Sequence, residues 1–443
     1  MASARAHRRA LLARVADAPI VVGSAPERPR NGDVTFRYRQ SSDLLWLTGV
    51  ELPGATLLLD ARAGLETLFV PKLTQRHAVW LGHVPSPAEV RATYGLRDVR
   101  TSDELGATLE RLARRRATVH ADAHAARHLR RAWPRLRLVS GELRDALDDL
   151  RVFKDEGELA CLRRASAATA AGHRAAMRLA RPGLHEYQVQ AELERAFQHA
   201  GCAQLGYGSI VAAGRNAAVL HYVKNDERLR AGQLLLIDAG AEYRGYTADV
   251  TRTFPVSGRF DRRQRDVYEV VLAAQEACLR RARAGVTSME LQLLAERCLA
   301  EGLRSLGLLR GATDELVETR AVRVFFPHGI GHTLGLDVHD VQGGRARRLP
   351  QQAPVKLRFR ARLEPGFVIT IEPGLYFIAA LLHDPELRRR HRGRVDFARA
   401  ERFLDFGGVR IEDDVVIQPA GAPRNLTKVP KTIADVEAAC GLS

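Results

Sequence analysis

The chain has 443 residues, of which 46% are hydrophobic and 27% charged. This balance excludes a globally disordered protein and suits two domains with sizeable cores. The net charge is +16, because 68 lysines and arginines outnumber 52 acidic residues. Such a charge is compatible with a nucleic-acid partner. The basic residues are scattered among many acids, however, so we interpret them as a solvated surface and expect no nucleic-acid partner.

The cysteines and the apolar runs restrict the class of protein further. Five dispersed cysteines without a Cys-x-x-Cys pair exclude a disulfide framework and favour a reducing compartment. No stretch approaches about 18 consecutive apolar residues, so no membrane span is expected. Residues 1–22 are basic and alanine-rich but lack the continuous apolar core of a signal peptide. We therefore expect a cytoplasmic protein with no membrane partner.

The first third of the chain reads as mixed α/β. Short apolar runs punctuated by glycine and proline predict strands joined by tight turns, at residues 44–47, 55–59 and 67–70. Leucines at helical spacing predict a helix next, followed by a strand and another helix, at residues 102–116, 117–120 and 122–133. The pattern changes near residues 150–154. We therefore predict a smaller N-terminal domain over residues 1–150 and a second domain over residues 151–443.

The second part contains two successive rounds of helices and strands. Helices are predicted at residues 156–180 and 186–200, with Gly201 ending the second, and strands at residues 209–212, 233–239 and 246–254. Two more helices are indicated by the capping pairs Asp261 with Gln264 and Thr287 with Glu290. Further strands are predicted at residues 367–372, 408–412 and 415–418. The fold class is thus α/β (α+β), with two similar αβ halves in one domain.

Acidic residues occur where these strands should be buried. Asp238 ends an apolar run, and Asp249 lies on the following strand, so a tight turn near Gly245 would bring both carboxylates together. Adjacent buried anions require compensating cations or protons. Glu372 and Glu412 also follow apolar runs. One such acid is more often a strand-end residue facing water, but four favour a shared metal site.

Histidines complete the candidate site. Residues 326–340 hold His328, His332 and His339 among glycines, a pattern typical of an active-site loop rather than an amphipathic helix. Carboxylates with one imidazole form a hard ligand set that favours manganese or cobalt and permits zinc. A phosphate-binding loop, a His-Glu-x-x-His helix and a Gly-x-Ser-x-Gly elbow are absent from the sequence.

These residues resemble the dinuclear metal centre of the pita-bread metallopeptidases, which include methionine aminopeptidase, prolidase and aminopeptidase P. Family-like segments occur in the family's order, at residues 237–240, 249–254, 328–332, 372–374 and 410–413. Residues 36–49 resemble the non-catalytic domain of aminopeptidase P. The resemblance implies a pita-bread catalytic domain over residues 151–443, preceded by an aminopeptidase-P-like domain over residues 1–150.

The resemblance also implies a ligand set. Two divalent ions, with Mn²⁺ favoured over Co²⁺ and Zn²⁺, would be bridged by Asp249 and Glu412. Asp238 would complete the shell of one ion, and His332 with Glu372 that of the other. A hydroxide shared by the two ions would attack the carbonyl before proline, with Glu372 as the proton shuttle.

Further catalytic roles follow from the same resemblance. His221 and His339 would stabilise the tetrahedral intermediate by hydrogen bonds. His328 would line the proline pocket, and Arg410 with Tyr376 would hold Asp238. The expected activity is that of a Xaa-Pro aminopeptidase, which releases the N-terminal residue of a peptide with proline in second position. A homo-oligomer is a further expectation from the family.

Two alternatives stay open. Residues 343–362 and 377–406 look longer than the compact aminopeptidase P pattern, and the second segment is more similar to bacterial prolidase, which would cleave only dipeptides. The inserts contain arginines that could clamp a dipeptide carboxylate, namely Arg345, Arg347, Arg348 and residues 388–390. We interpret them as solvent-facing and expect longer peptides to be cleaved at least as well. A catalytically inactive binding protein is disfavoured, because a binder has no need of four buried acids.

Overall fold

The computed structural model describes residues 2–72, 74–351 and 357–441. The chain folds as two compact units. One comprises the residues up to Arg151 together with Gly343–Arg347, and the other comprises Val152–Gln342 and the chain from Arg348 onward. Part of the predicted insert, residues 352–356, lies outside the described residues. None of the helices in the described ranges is long and apolar enough to cross a bilayer.

The first unit is built on a mixed sheet. The strands of this unit are β1 Ile20–Gly23, β2 Pro29–Asn31, β3 Val34–Thr35, β4 Thr56–Asp60, β5 Leu65–Val70, β6 Asp98–Thr101, β7 Thr118–Ala121 and β8 Arg137–Val139. The mixed sheet has the strand order β6-β5-β4-β1-β7-β8, and β2 pairs with β3 in a separate sheet. Its helices are α1 Ala2–Arg14, α2 Ser42–Thr48, α3 Gln75–Leu81, α4 Pro87–Tyr94, α5 Ser102–Arg114, α6 Ala123–Ala132 and α7 Gly141–Arg151. The predicted strands at 55–59, 67–70 and 117–120 and both predicted helices are confirmed.

Residues 44–47 were predicted as a strand, and this prediction is wrong. They lie in the buried helix α2, which Ser41 caps by accepting a hydrogen bond from the amide of Leu44. The helix ends at Gly49, whose left-handed φ of 74° lets its amide bond to the carbonyl of Leu45. A short apolar run buried on all sides has no periodicity that separates a helix from a strand.

The second unit contains the two predicted rounds of helices and strands. The first round is α8 Glu156–Leu179, α9 Glu186–His199, β9 Gln204–Leu205, β10 Ile210–Ala213, β11 Leu234–Asp238, β12 Ala241–Tyr243, β13 Tyr246–Thr247 and β14 Thr251–Pro255. The second is α10 Arg262–Arg281, α11 Ser288–Ser305, α12 Thr313–Glu318, β15 Val368–Ile371, β16 Gly374–Tyr376, α13 Ala379–Leu382, α14 Pro385–Arg390, α15 Phe397–Glu401, β17 Gly408–Arg410, β18 Asp413–Val416, β19 Arg424–Asn425 and α16 Ile433–Cys440. Both predicted capping boxes are present at the starts of α10 and α11.

The predicted hairpin between the first two acids exists, but its second strand is broken. β11 pairs with β14 so that Asp238 lies opposite Thr251, and the turn at Arg244 and Gly245 has positive φ at both residues. Residues 248–250 leave the strand. The backbones approach closely here, because a Cβ on Gly240 would lie 1.7 Å from the carbonyl oxygen of Ala248. The predicted strand 246–254 is therefore two short strands with Asp249 in the gap.

The second pair of acids also flanks paired strands. β15 and β18 are antiparallel with Ile371 opposite Asp413, so Glu372 and Glu412 lie just beyond the paired ends. The predicted strand 408–412 ends early at Arg410, because the chain passes from β17, paired with β16, to β18, paired with β15. Asp238 thus ends a strand, Asp249 lies in the gap between two strands, and Glu372 and Glu412 lie just beyond paired strands.

Candidate metal centre

A cavity of about 570 Å³ lies in the second unit. Its lining combines acids, histidines, arginines and apolar side chains: Tyr207, Gly208, Ile210, Leu220, His221, Val223, Asp238, Asp249, His328, Gly329, Gly331, His332, Val338, His339, Arg358, Glu372, Arg410 and Glu412. The structure thus brings every predicted ligand into one cavity. Tyr376 is fully buried beside it and contacts two of the lining residues.

Three of the predicted ligands form a tight buried cluster. Asp249, His332 and Glu412 present ligand atoms that all lie within 4.8 Å of one another. Nε2 of His332 is 3.3 Å from Oδ2 of Asp249 and 3.6 Å from Oε1 of Glu372. Nδ1 of His332 donates to the carbonyl of Thr333 at 3.0 Å, so Nε2 is the ring nitrogen that faces the carboxylates.

The histidine reaches this place because its segment runs alongside β15. The amide of Leu334 bonds to the carbonyl of Val368, and the amide of Glu372 bonds to the carbonyl of Ile330. The approach requires glycine, since a Cβ on Gly331 would lie 2.1 Å from the carbonyl oxygen of Thr370. The glycines of the predicted active-site loop therefore serve close packing against the strand.

The electrostatics of the cluster favour a bound cation. Burial raises the pKa of Asp249, and the charge of Asp238 raises it further. Burial likewise raises the pKa of Glu372 to about 7 and that of Glu412 well above its ordinary value, with neighbouring carboxylates adding to the shift. Divalent cations would relieve this crowding of anions, and oxygen donors with one imidazole fit such ions.

A hydrogen-bonded chain runs from Asp238 to His328. The Arg410 guanidinium contacts the Asp238 carboxylate and donates to the Tyr376 hydroxyl at 3.0 Å. That hydroxyl lies 2.9 Å from Nε2 of His328, while Nδ1 of His328 donates to the carbonyl of Gly329. Burial and the charge of Arg410 lower the pKa of His328 to about 3. Tyr376 therefore acts on Asp238 only through Arg410, and His328 is neutral.

The two remaining histidines have different surroundings. His339 stacks edge-on against His332 with 4.3 Å between ring centroids. Burial, together with His332 and Arg358, lowers the pKa of His339 to about 3, so it is a neutral imidazole. His221 lies on an exposed segment of the cavity wall.

Two polar cavity residues were not predicted from the sequence, Tyr207 and Arg358. The Tyr207 hydroxyl is 2.6 Å from Oδ1 of Asp238 and also contacts Asp249. The glycines on either side of it, Gly206 and Gly208, are the sequence feature that could have indicated this tyrosine. Arg358 lines the cavity with Nη1 at 2.9 Å from Nδ1 of His339. It lies inside the insert 343–362, but nothing in the sequence separates it from the neighbouring arginines.

The insert arginines named from the sequence lie elsewhere. Arg345 and Arg347 belong to the first unit and pair with Asp145 and Asp149. In the second insert, Arg388 pairs with Glu401 at 2.6 Å. Among the described residues, the arginines that line the cavity are Arg358 and Arg410.

Comparison with known proteins identifies the class. Residues 160–419 match metallopeptidase family M24, and residues 4–120 match the aminopeptidase P N-terminal domain. The chain belongs to the M24 metallopeptidases, and its second unit is the pita-bread fold expected from the sequence.

Individual relatives agree along nearly the whole chain. A probable Xaa-Pro aminopeptidase of Fusarium vanettenii is 37% identical over 90% of this chain and 87% of its own length. The structure of proline aminopeptidase P II from Yersinia pestis superposes with a TM-score of 0.85 at 35% identity, over 100% of this chain and 99% of that one. Zinc-substituted Escherichia coli aminopeptidase P in complex with product gives a TM-score of 0.85 at 33% identity, covering 99% and 98%.

Proposed function

We propose that the chain is a Xaa-Pro aminopeptidase that holds two divalent ions, with Mn²⁺ as the physiological metal. The observation that carries the proposal is the cluster of Asp249, His332 and Glu412 within 4.8 Å, with Asp238 and Glu372 in the same cavity. Asp238, Asp249, His332, Glu372 and Glu412 would hold the two ions. When bound, the ions supply Lewis-acid activation of water and of the peptide carbonyl.

The remaining chemistry belongs to the side chains. Glu372 accepts the proton of the attacking water and delivers it to the leaving proline nitrogen, as a general base that becomes a general acid. His221 and His339 donate hydrogen bonds to the carbonyl oxygen as it gains charge. His328 lines the pocket for the proline ring, and Arg410 orients Asp238.

The chain's organisation is part of the proposal. Residues 1–150 form the non-catalytic domain, and residues 151–443 form the catalytic domain. The homo-oligomer and the cytoplasmic location remain predictions.

Arg358 favours a second candidate, a prolidase. A guanidinium on the cavity wall is suited to bind a dipeptide's carboxylate through paired hydrogen bonds. Comparing kcat/KM for a matched Xaa-Pro dipeptide and pentapeptide decides between the candidates. The aminopeptidase proposal expects the pentapeptide to be cleaved at least as efficiently. A dipeptide preference of about tenfold or more, equal to about 1.4 kcal/mol of transition-state binding, would establish the prolidase instead.

A further inference from the structure

The segment that carries His221 has little apolar packing beyond the Tyr222 ring, which packs against the cluster of Ile210, Ala212, Ala217 and Leu236. The neighbours of His221, Val219 and Val223, are 52% and 63% exposed, and residues 219–224 form no strand or helix. A donor that stabilises a transition state must nevertheless be held in place before the reaction. The position of this imidazole therefore depends on the Tyr222 side chain and on the polar contacts that anchor the segment.

One buried carboxylate provides most of these contacts. Glu186, the first residue of α9, is fully buried. Its Oε1 accepts hydrogen bonds from the Ala213 amide at 2.7 Å and the Asn216 side-chain amide at 3.1 Å. Its Oε2 accepts from the Tyr222 hydroxyl at 2.7 Å and the Glu227 amide at 3.0 Å. The Glu186 carboxylate thus links residues before the exposed segment, within it and after it.

The link nearest to His221 is that of Tyr222. The other donors to Glu186 hold the flanks of the segment, whereas Tyr222 is the adjacent residue in the chain. Downstream, Asn225 is buried and holds the end of the segment through the Val211 amide and the Ser209 carbonyl. Loss of the Tyr222 hydroxyl would therefore leave both flanks fixed and loosen the part that carries the imidazole.

We propose that Glu186 is a positioning residue that fixes His221 at the cavity wall through Tyr222. This inference rests on the proposed function, which assigns His221 to the peptide carbonyl. The substitution Tyr222→Phe removes the hydroxyl and keeps the ring and the other three donors to Glu186. Because His221 acts in the transition state, the change reduces kcat and leaves KM nearly unaltered.

The kinetic test uses the metal-loaded full chain and a Xaa-Pro pentapeptide. Tyr222→Phe is expected to lower kcat about tenfold, with KM within about twofold and metal content unchanged. In a His221→Ala background, the same substitution should change kcat by less than about twofold, because it acts through the missing group. The control is Tyr268→Phe, which loses a partly buried hydrogen bond of 2.7 Å to the Lys431 carbonyl and should leave kcat unaltered. An equal loss in both backgrounds would overturn the inference.

Hydrogen exchange separates this inference from the proposed function. Tyr222→Phe should speed amide exchange in residues 219–224 by about tenfold, and Tyr268→Phe should not. Glu186→Gln, which keeps only one acceptor oxygen, should also speed amide exchange in residues 219–224. If this variant fails to fold, the result for Tyr222→Phe alone decides. Unchanged exchange in Tyr222→Phe would overturn the positioning role even in an active enzyme. If the wild-type enzyme cleaves no Xaa-Pro peptide, the proposed function is overturned. Amide exchange in residues 219–224 would still show whether Tyr222 anchors the segment.

Discussion

His332 and Thr370 are hydrogen-bonded to each other twice. The amide of His332 donates to the Thr370 hydroxyl at 3.0 Å, and the amide of Thr370 donates to the carbonyl of His332 at 2.9 Å. This pairing ties the histidine segment to the strand that precedes Glu372. The geometry of two proposed ligands therefore depends on one buried threonine.

The first prediction follows from that pairing. Thr370→Val keeps the side-chain shape but leaves the His332 amide without its acceptor, so the imidazole loses orientation. We expect Mn²⁺ affinity to fall about tenfold or more, measured by equilibrium dialysis. Thr48→Val is a matched control, because its hydroxyl also accepts a buried amide bond, from Val50, in the first unit. Equal Mn²⁺ affinity in Thr370→Val and wild type would show that the pairing does not orient a ligand.

The second prediction concerns the proposed bridging acids. Asp249→Asn or Glu412→Gln removes a charge shared by both ions, so each variant should lose bound Mn²⁺ as well as turnover. Metal content by atomic emission and kcat on a Xaa-Pro peptide test this together. A variant with full metal occupancy and wild-type turnover would rule out the dinuclear assignment.

The third prediction separates His339 from the ligands. His339→Ala should keep both ions and lose about 10²-fold in kcat, the cost of removing a transition-state donor. Metal content and kcat are measured on the same preparation. Metal that falls in step with activity would identify His339 as a ligand.

The fourth prediction uses the buried Asp43 in the first unit. Burial raises its pKa, but the charges of Arg151 and Arg144, both at 2.6 Å, lower it more, so the net pKa lies below the ordinary value. A lowered folded-state pKa stabilises the fold above the unfolded pKa near 3.8, and this stability is lost as pH falls through the folded value.

Asp43→Asn should therefore lower the free energy of unfolding by about 3 kcal/mol at pH 7. The loss should become progressively smaller as the pH falls below the unfolded pKa near 3.8. Thermal unfolding across this pH range measures the difference. The control, Asp103→Asn, breaks an ion pair with Lys72 in which both side chains are more than half exposed, and should be nearly neutral at every pH. A pH-independent cost of Asp43→Asn would contradict the assignment.

The acids of the site were predictable because a carboxylate after an apolar run is costly unless something compensates it. Asp238, Asp249, Glu372 and Glu412 all carried that signal, and the structure places them around one cavity. Their exact setting was not predictable. The gap at Asp249 depends on the close approach of Gly240 to Ala248, a backbone contact across the hairpin that no residue pattern in the sequence indicates.

Other features lacked a distinguishing signal. Arg358 is one of many arginines in its segment, and its place at the cavity follows from tertiary structure alone. The helix at residues 44–47 is bounded by its caps, Ser41 and Gly49, but the apolar run between them has no helical periodicity. Tyr207 had flanking glycines, but its two carboxylate partners are 31 and 42 residues away.

The most direct test of the account is cleavage of two matched pentapeptides, Xaa-Pro and Xaa-Ala at the N-terminus, by Mn²⁺-loaded and metal-depleted enzyme. The account predicts release of the N-terminal residue from the Xaa-Pro peptide only, with activity lost on chelation and restored by Mn²⁺. Cleavage that survives metal removal, or equal cleavage of the Xaa-Ala peptide, would contradict it.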